Sequence, residues 1–211
     1  ACTGNAGVKA GKVVVRARLD ADVFGKTTAG GGGGLSVTGA TTDTDENATA
    51  DVHVASGTTL RAGGISIAAQ ADRFVDGAAD AYSIAVASGS GAKLRLDALG
   101  DATVRFDTAT SGEARTLVEG RAVSIDTLNS VNKEATVSKN GGGKLVDHNV
   151  TTGAGGIAGV RVIGTDADIG TEDDKSTSQV ALGDARIVGL GSYQAPSSVT
   201  LRALTSHSVA D

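Results

Sequence analysis

The feature that most restricts this chain is an alternation of apolar and polar residues with a period of two, which recurs from one end to the other. Between Val13 and Val23, the residues Val13, Val15, Ala17, Leu19, Ala21 and Val23 fall on one parity, and Val14, Arg16, Arg18, Asp20 and Asp22 on the other. Successive side chains of an extended strand point to opposite faces, so only a β conformation gathers the first set into a buried row and leaves the second in water. Shorter versions follow at Val52/Val54, Ile65/Ile67/Ala69, Ile84/Val86, Leu94/Leu96, Val104/Phe106, Val123/Ile125, Val160/Val162 and Val199/Leu201/Ala203. A helical reading of Ala114 to Leu128 competes poorly, because Gly, Thr, Val and Asp depress helix propensity throughout. The expectation is an all-β chain with at most one short helix.

Glycine punctuates these strands. It clusters at Gly30 to Gly34, Gly63–Gly64, Ser88 to Gly91, Gly141 to Gly143, Gly153 to Gly156 and Gly189 to Gly191. Glycine tolerates backbone angles closed to other residues, so these clusters are expected to be the corners where strands turn. The apolar side chains between the corners are small: three Phe and two Tyr are present, with no Trp and no Met. Ala, Val, Leu and Ile suit a thin interior in which like residues stack in rows, better than a core assembled around large anchors.

One strand type recurs four times, as Val13 to Leu19, Ile65 to Ala71, Val123 to Asn129 and Val199 to Thr205. A longer correspondence links Gly30 to Gly64 with Gly153 to Gly189: each has glycines, an acidic segment, a Val-rich strand (Val52/Val54; Val180/Leu182) and a closing aliphatic (Leu60; Ile187). Residues 1–211 therefore read as one elongated β module of two degenerate repeats, about 1–115 and 116–211. A unit of this kind leaves one apolar face bare until the next unit stacks on it. The expected fold is an elongated parallel β-helix or β-solenoid-like module with Gly-rich turns, with a β-sandwich as the alternative. Neither end reads as a cap, so neighbouring repeats of a longer chain or end-to-end self-association are expected to cover the exposed strand edges. The chain lacks Met altogether, which reads as a processed product or a piece of something longer.

The runs VHVASGTTLRAGGISIAAQA (Val52 to Ala71) and GAGGIAGVRVIGTDADIG (Gly153 to Gly170) resemble the repetitive stretches of giant bacterial surface proteins, the filamentous-haemagglutinin-like β-solenoid adhesins. Gly100 to Val104 and Gly183 to Ile187 look like the polar corners of such units. The resemblance implies a right-handed β-helix or related solenoid, outside the cell or on its surface, serving adhesion, matrix or filament formation. Its partners would be other copies, or a glycan or cell-surface ligand.

The acidic segments are the most chemical feature. Asp166 and Asp168, followed by Glu172 and Asp173, space carboxylates so that their oxygens can converge on one hard cation, and Asp43 and Asp45 occupy the corresponding place in the first half. Read as loops, these six residues are calcium candidates; the competing reading is a solvated acidic turn. No other cofactor is expected. His53, His148 and His207 are too dispersed for a ligand or base motif, and His53 should point away from Val52 and Val54. The run from Gly141 to Lys144 lacks the spacing and the Ser or Thr of a nucleotide loop. Sugar-cleaving enzymes need paired carboxylates across a groove, usually with aromatic platforms, and five scattered aromatics do not supply one. A net charge of −5 with Lys and Arg scattered singly argues against nucleic acid. No apolar run is long enough for a membrane helix, so a soluble module is expected. Cys2, the only cysteine, excludes an internal disulfide and leaves lipidation or cross-linking as alternatives to an incidental residue. A non-catalytic structural or adhesive module is the expected function.

Overall fold

The computed structural model describes residues 10–133, 137–139, 145–147, 150–169, 176–192 and 195–209. Among them there is no helix. The strands in chain order are β1 (Ala10–Glu46), β2 (Ala50–Val54), β3 (Thr59–Ala98), β4 (Ala102–Phe106), β5 (Leu117–Lys133) and β6 (Val137–Lys139). They are followed by β7 (Leu145–Asp147), β8 (Val150–Gly155), β9 (Ala158–Ile169), β10 (Ser178–Ala181), β11 (Arg186–Gly189) and β12 (Ser198–Val209). A seven-stranded sheet holds β1, β3, β5 and β11 in that order, with β12 also on β5 and with β8 and β9 on the far part of β3. A three-stranded sheet runs β10–β4–β2, and both sheets are parallel throughout. Among the described residues only β6 and β7 pair antiparallel, apart from an isolated bridge between Ser192 and Ala195.

Register explains why the sequence recurs as it does. Val13, Ile65, Val123 and Val199 stand in one column, and so do Val15, Ile67, Ile125 and Leu201. The four copies of the recurring strand are thus four successive rungs of one ladder. Val52, Val104 and Val180 form the matching column of the smaller sheet. Burial follows the two-residue period: Ile65, Ile67, Ala69 and Ala71 are buried while Ser66, Ala68 and Gln70 are half-exposed. A slip of one residue in any rung would exchange the two faces, so the apolar rows fix the register.

The clusters at Gly30 to Gly34 and Gly153 to Gly156 turn the chain as expected, but not every cluster ends a strand. Gly63–Gly64 and Ser88 to Gly91 lie inside β3, and Gly30 to Gly34 inside β1, so the ladder runs through them. The reason is that a parallel ladder is held by backbone hydrogen bonds between rungs, which persist where the chain bends, provided every rung bends together. β1 does reverse direction: Gly33, at φ +143°, marks the bend, and the two arms on either side of it come face to face. A Cβ added to Gly31 would stand 2.5 Å from Thr38 Oγ1 and 2.7 Å from Ser36 Oγ. In β3 a Cβ on Gly77 would stand 2.7 Å from Leu94 Cδ1. In the third rung the chain leaves β8 at Gly156, φ +142°, and returns as β9. The cluster at Gly141 to Gly143 lies outside the described residues.

These reversals make two interiors of different character. The first lies between the two sheets: Ile65, Ile67, Ala69, Val118, Val123 and Ile125 pack against Val52, Val54, Val104 and Phe106. The second lies between the two arms of each reversed strand and is thinner. There Ala40, Ala79, Ala81 and Ala92 cluster with no larger buried side chain, and beside them Val75 meets Leu94, Leu96 and Val131. Buried Thr42 supplements the packing by donating its hydroxyl to the Ala78 carbonyl at 2.8 Å, and Ser83 donates to the Ser36 carbonyl at 3.2 Å. Where the arms approach this closely, a glycine or alanine must face each larger partner.

At the junction of the two interiors sits a buried polar node. Arg73 donates to Glu46 Oε2 (3.1 Å), to the Gly100 carbonyl (2.6 Å), to Ser176 Oγ (2.9 Å) and to Asn129 Oδ1. Asn129 in turn donates to the carbonyls of Gly100 and Thr177. The Arg73 and Glu46 side chains are 0% and 4% exposed. Five rungs and corners, at residues 46, 73, 100, 129 and 176–177, are tied together here.

Candidate functional site

The first acidic segment and the described start of the second are strand, which corrects their reading as loops. Asp43 and Asp45 lie in β1, and the backbone of Asp166 and Asp168 lies in β9. The physical reason is the intervening threonines: Thr42 and Thr44 satisfy the inward row and are buried, so Asp43 and Asp45 point outward on the same strand. Register then brings together what sequence spacing did not. Asp45, Asp97 and Asp168 occupy one column, and Asp43, Arg95 and Asp166 the column two residues away. Asp97 and Arg95 went unnoticed in the sequence because they belong to neither acidic run; the 52-residue repeat spacing that places Val13 beside Ile65 also places Asp45 beside Asp97.

Within this pair of columns Arg95 binds Asp97 at 2.9 Å. Burial nevertheless pushes the Asp97 carboxyl above its ordinary value of 3.8; the Arg95 charge pulls it back, and a hydrogen bond that the protonated Asp97 carboxyl donates to Asp45, together with the like charge of Asp45, reinforces the rise. Two carboxylates side by side on adjacent rungs repel, and sharing a proton relieves the repulsion. Among the described residues no group of three or more His, Cys, Asp or Glu side chains is arranged to hold a metal ion. Glu172 and Asp173 lie outside the described residues.

A second feature is the open end of the first interior. Between β1 and β2, neither of which has a strand on its outer side, a slot of about 220 Å3 is lined by Val15, Ala17, Val52, Val54 and Leu60, with Asp51 and His53 beside it. His53 points away from Val52 and Val54, and its Nε2 lies 2.7 Å from Asp107 Oδ1. A His–Asp pair would need a nucleophile on the other ring nitrogen to resemble a hydrolytic triad. The neighbouring hydroxyl, Ser56, donates instead to Glu113 at 3.0 Å. Backbone and side-chain hydrogen bonds from Thr110, and then that from Ser56, hold the Glu113 carboxyl below its ordinary range, as expected of a turn acceptor. Asp51 is engaged by Thr103 (2.5 Å) and Arg105 (3.5 Å). These polar groups are spoken for by structural partners. His148 lies outside the described residues.

At the opposite end the last rung leaves its inward aliphatics uncovered: Val199 and Leu201 on β12 are exposed. Among the described residues both end rungs, β1 and β12, therefore lack a strand on their outer side, with the aliphatic column half-buried at Val13 and Val15 and exposed at Val199 and Leu201. Comparison of the chain with family models, with curated proteins and with solved structures finds no match.

Proposed function

We propose that the chain is a β-solenoid module with a structural or adhesive role in a secreted or cell-surface bacterial protein. The observation that supports this most is the in-register stack of recurring strands, Val13 on Ile65 on Val123 on Val199, half-buried at its first rung and exposed at its last. Repeats that bury their apolar faces only against neighbours are suited to building length, and length is what filaments and adhesive stalks require. In this reading each open end is covered by a neighbouring repeat or by another copy. The resemblance to filamentous-haemagglutinin-like adhesins supports an extracellular setting.

Electron microscopy combined with a polysaccharide-turnover screen tests the reading. Rods that lengthen with concentration, and no product from any glycan offered, are expected. Compact particles, or release of reducing ends from one glycan class, would overturn it. A second reading, calcium-dependent attachment to a glycan surface, draws on the register that aligns the backbone positions of Asp45, Asp97 and Asp168, and of Asp43 and Asp166. A ligand selective for the folded state raises its melting temperature, so a melting temperature indifferent to calcium and chelator rejects it.

A further inference from the structure

The outer face of the larger sheet, turned away from the first interior, collects cations that stand apart in the sequence. Its residues are the exposed parity of β1 and the partners that register sets beside them on β3, β5 and β12. The four columns from Lys12 to Arg18 hold four cations, Lys12, Arg16, Arg18 and Arg202, and one carboxylate, Asp126, on a chain whose net charge is −5. Arg202 is held by Asp126 at 2.7 Å and Arg18 by Asp20 at 2.9 Å. Among the described residues Lys12 and Arg16 have no hydrogen bond or ion pair. Between the charged columns Ser66, Ser124 and Thr200 stand side by side on successive rungs, a row of hydroxyls that crosses the sheet. Ser124 donates to Asp126, while Ser66 and Thr200 have no partner among the described residues. The row is flanked by small residues, Gly64 and Ala122 on one side and Ala68 on the other, so hollows of about 300 and 240 Å3 open beside it and share Ser66. A Cβ built on Gly64 would meet only Lys12 Cγ, at 3.7 Å.

We propose that this row is a binding lane for a carboxylated polysaccharide, whose chain crosses the rungs over Ser66, Ser124 and Thr200 and whose carboxylates pair with Lys12 and Arg16 at one end and Arg202 at the other. Such a lane rests on the adhesive reading and supplies its ligand class. Charge complementarity favours this occupant: two unengaged cations border a hydroxylated floor, and a guanidinium takes a carboxylate through two parallel hydrogen bonds. The floor adds a second match, because hydroxyls both donate and accept and so suit a ligand built of hydroxyl groups. From the first rung to the fourth the lane spans three strand spacings, about 14 Å, which a short stretch of a sugar chain covers. Other polyanions fit worse. Asp20 and Asp72 occupy the next column and Asp22 stands in the one beyond. An anionic membrane or a duplex laid on the sheet would meet these carboxylates, which begin about 13 Å from Arg16, whereas a single chain crossing at Ser66 passes them by. No aromatic stands in the four columns to stack an unpaired base.

Isothermal titration calorimetry with oligogalacturonate measures the affinity of the wild type, Arg16→Gln, Ser66→Leu and Lys93→Gln, each first compared with the wild type by circular dichroism. Neutral dextran oligomers, duplex DNA and phosphatidylglycerol vesicles are the other probes. The wild type is expected to bind oligogalacturonate and to ignore dextran. Arg16→Gln, which removes a charge-assisted contact, and Ser66→Leu, which fills the lane without changing its charge, each weaken binding by about tenfold or more. Lys93→Gln, at an exposed cation of β3 outside the four columns, leaves it unchanged. No binding by the wild type, equal binding of dextran, unchanged binding in Ser66→Leu, or equal losses in Arg16→Gln and Lys93→Gln would overturn the proposal. DNA or vesicles held more tightly than oligogalacturonate, and released by Arg16→Gln, would assign the row to another polyanion and overturn it equally. Loss of polysaccharide binding leaves the structural role standing, whereas release of reducing ends from the bound chain would sink the adhesive reading and leave the lane occupied.

Discussion

Arg73 offers the sharpest test of how this architecture is held, because its charge sits where a parallel β interior should hold an aliphatic. Its column neighbours are Ala21 and Val131. Removing one partner of a buried ion pair leaves the other charged and uncompensated, at a cost of about 3–5 kcal/mol, whereas replacing both by apolar groups of similar size is often neutral. Arg73→Met strands the Glu46 carboxylate, which keeps only the Ala48 amide at 3.0 Å, and frees the Gly100 carbonyl of one of its three donors. Glu46→Met leaves the guanidinium with neutral partners alone. Each single variant should therefore lose about 3–5 kcal/mol, a large share of the roughly 5–15 kcal/mol that stabilises a domain.

The double variant Arg73→Met/Glu46→Met should recover much of that loss. The coupling energy from the cycle should reach about 2 kcal/mol or more, since the two side chains touch inside the protein at 3.1 Å. Urea unfolding followed by circular dichroism supplies the four stabilities, and constant denaturant slopes would confirm that all four variants unfold from the same folded state. Additive losses, or an Arg73→Met protein within about 0.5 kcal/mol of the wild type, would refute the reasoning and reduce the node to a surface-like ion pair.

Three other perturbations probe separate links. Ile67 is fully buried between the sheets, so Ile67→Asp should lose on the order of 5 kcal/mol and unfold the module; a soluble protein with an unchanged circular dichroism spectrum would contradict the inward row. Gly77→Val should destabilise as severely by collision, because its Cβ would meet Leu94 Cδ1 at 2.7 Å and the Gly25 carbonyl at 3.2 Å, and the added Leu94→Ala should restore part of the loss in thermal melts. For Asp97, the folded state keeps a proton that the unfolded chain has already released, so stability falls as pH rises from 3.8 through the raised value, and the cost persists at neutral pH. Asp97→Asn should raise the urea midpoint at pH 7 and change it little at pH 3; a lower midpoint at pH 7 would mean that attraction to Arg95 outweighs burial.

The parts of this structure that were legible in the sequence are those that repeat with period two. Val13 to Val23 alternate in burial as read, Ile67 and Val104 lie fully buried, and the four Val/Ile-headed segments stand on one another because their spacings of 52, 58 and 76 residues are the distances between ladder partners. What escaped the reading depends on which rung lies beside which. Glycine pairs read locally as corners, yet Gly63–Gly64 and Ser88 to Gly91 continue the ladder, because the hydrogen bonds that keep the backbone extended come from the neighbouring rung and not from local propensity. The acidic runs were taken as loops for the same reason, their charges outvoting the alternating Thr42 and Thr44 that place them in a strand. Arg73 carried a usable signal: it falls on the parity of Ile65, Ile67, Ala69, Ala71 and Val75, so an arginine there had to be either a break in the strand or a buried charge with a partner. The partner could not be found locally, since Glu46 lies 27 residues earlier and Ser176 103 residues later. The same logic applies to Gly89, which comes to lie between Val37 and Val160 only when three rungs are stacked. In a chain built from rows, a residue's chemistry is set by its column, and the columns of this protein put the buried Arg73–Glu46 pair, the adjacent Asp45 and Asp97 and the exposed Val37 and Val160 at three separate places along the ladder.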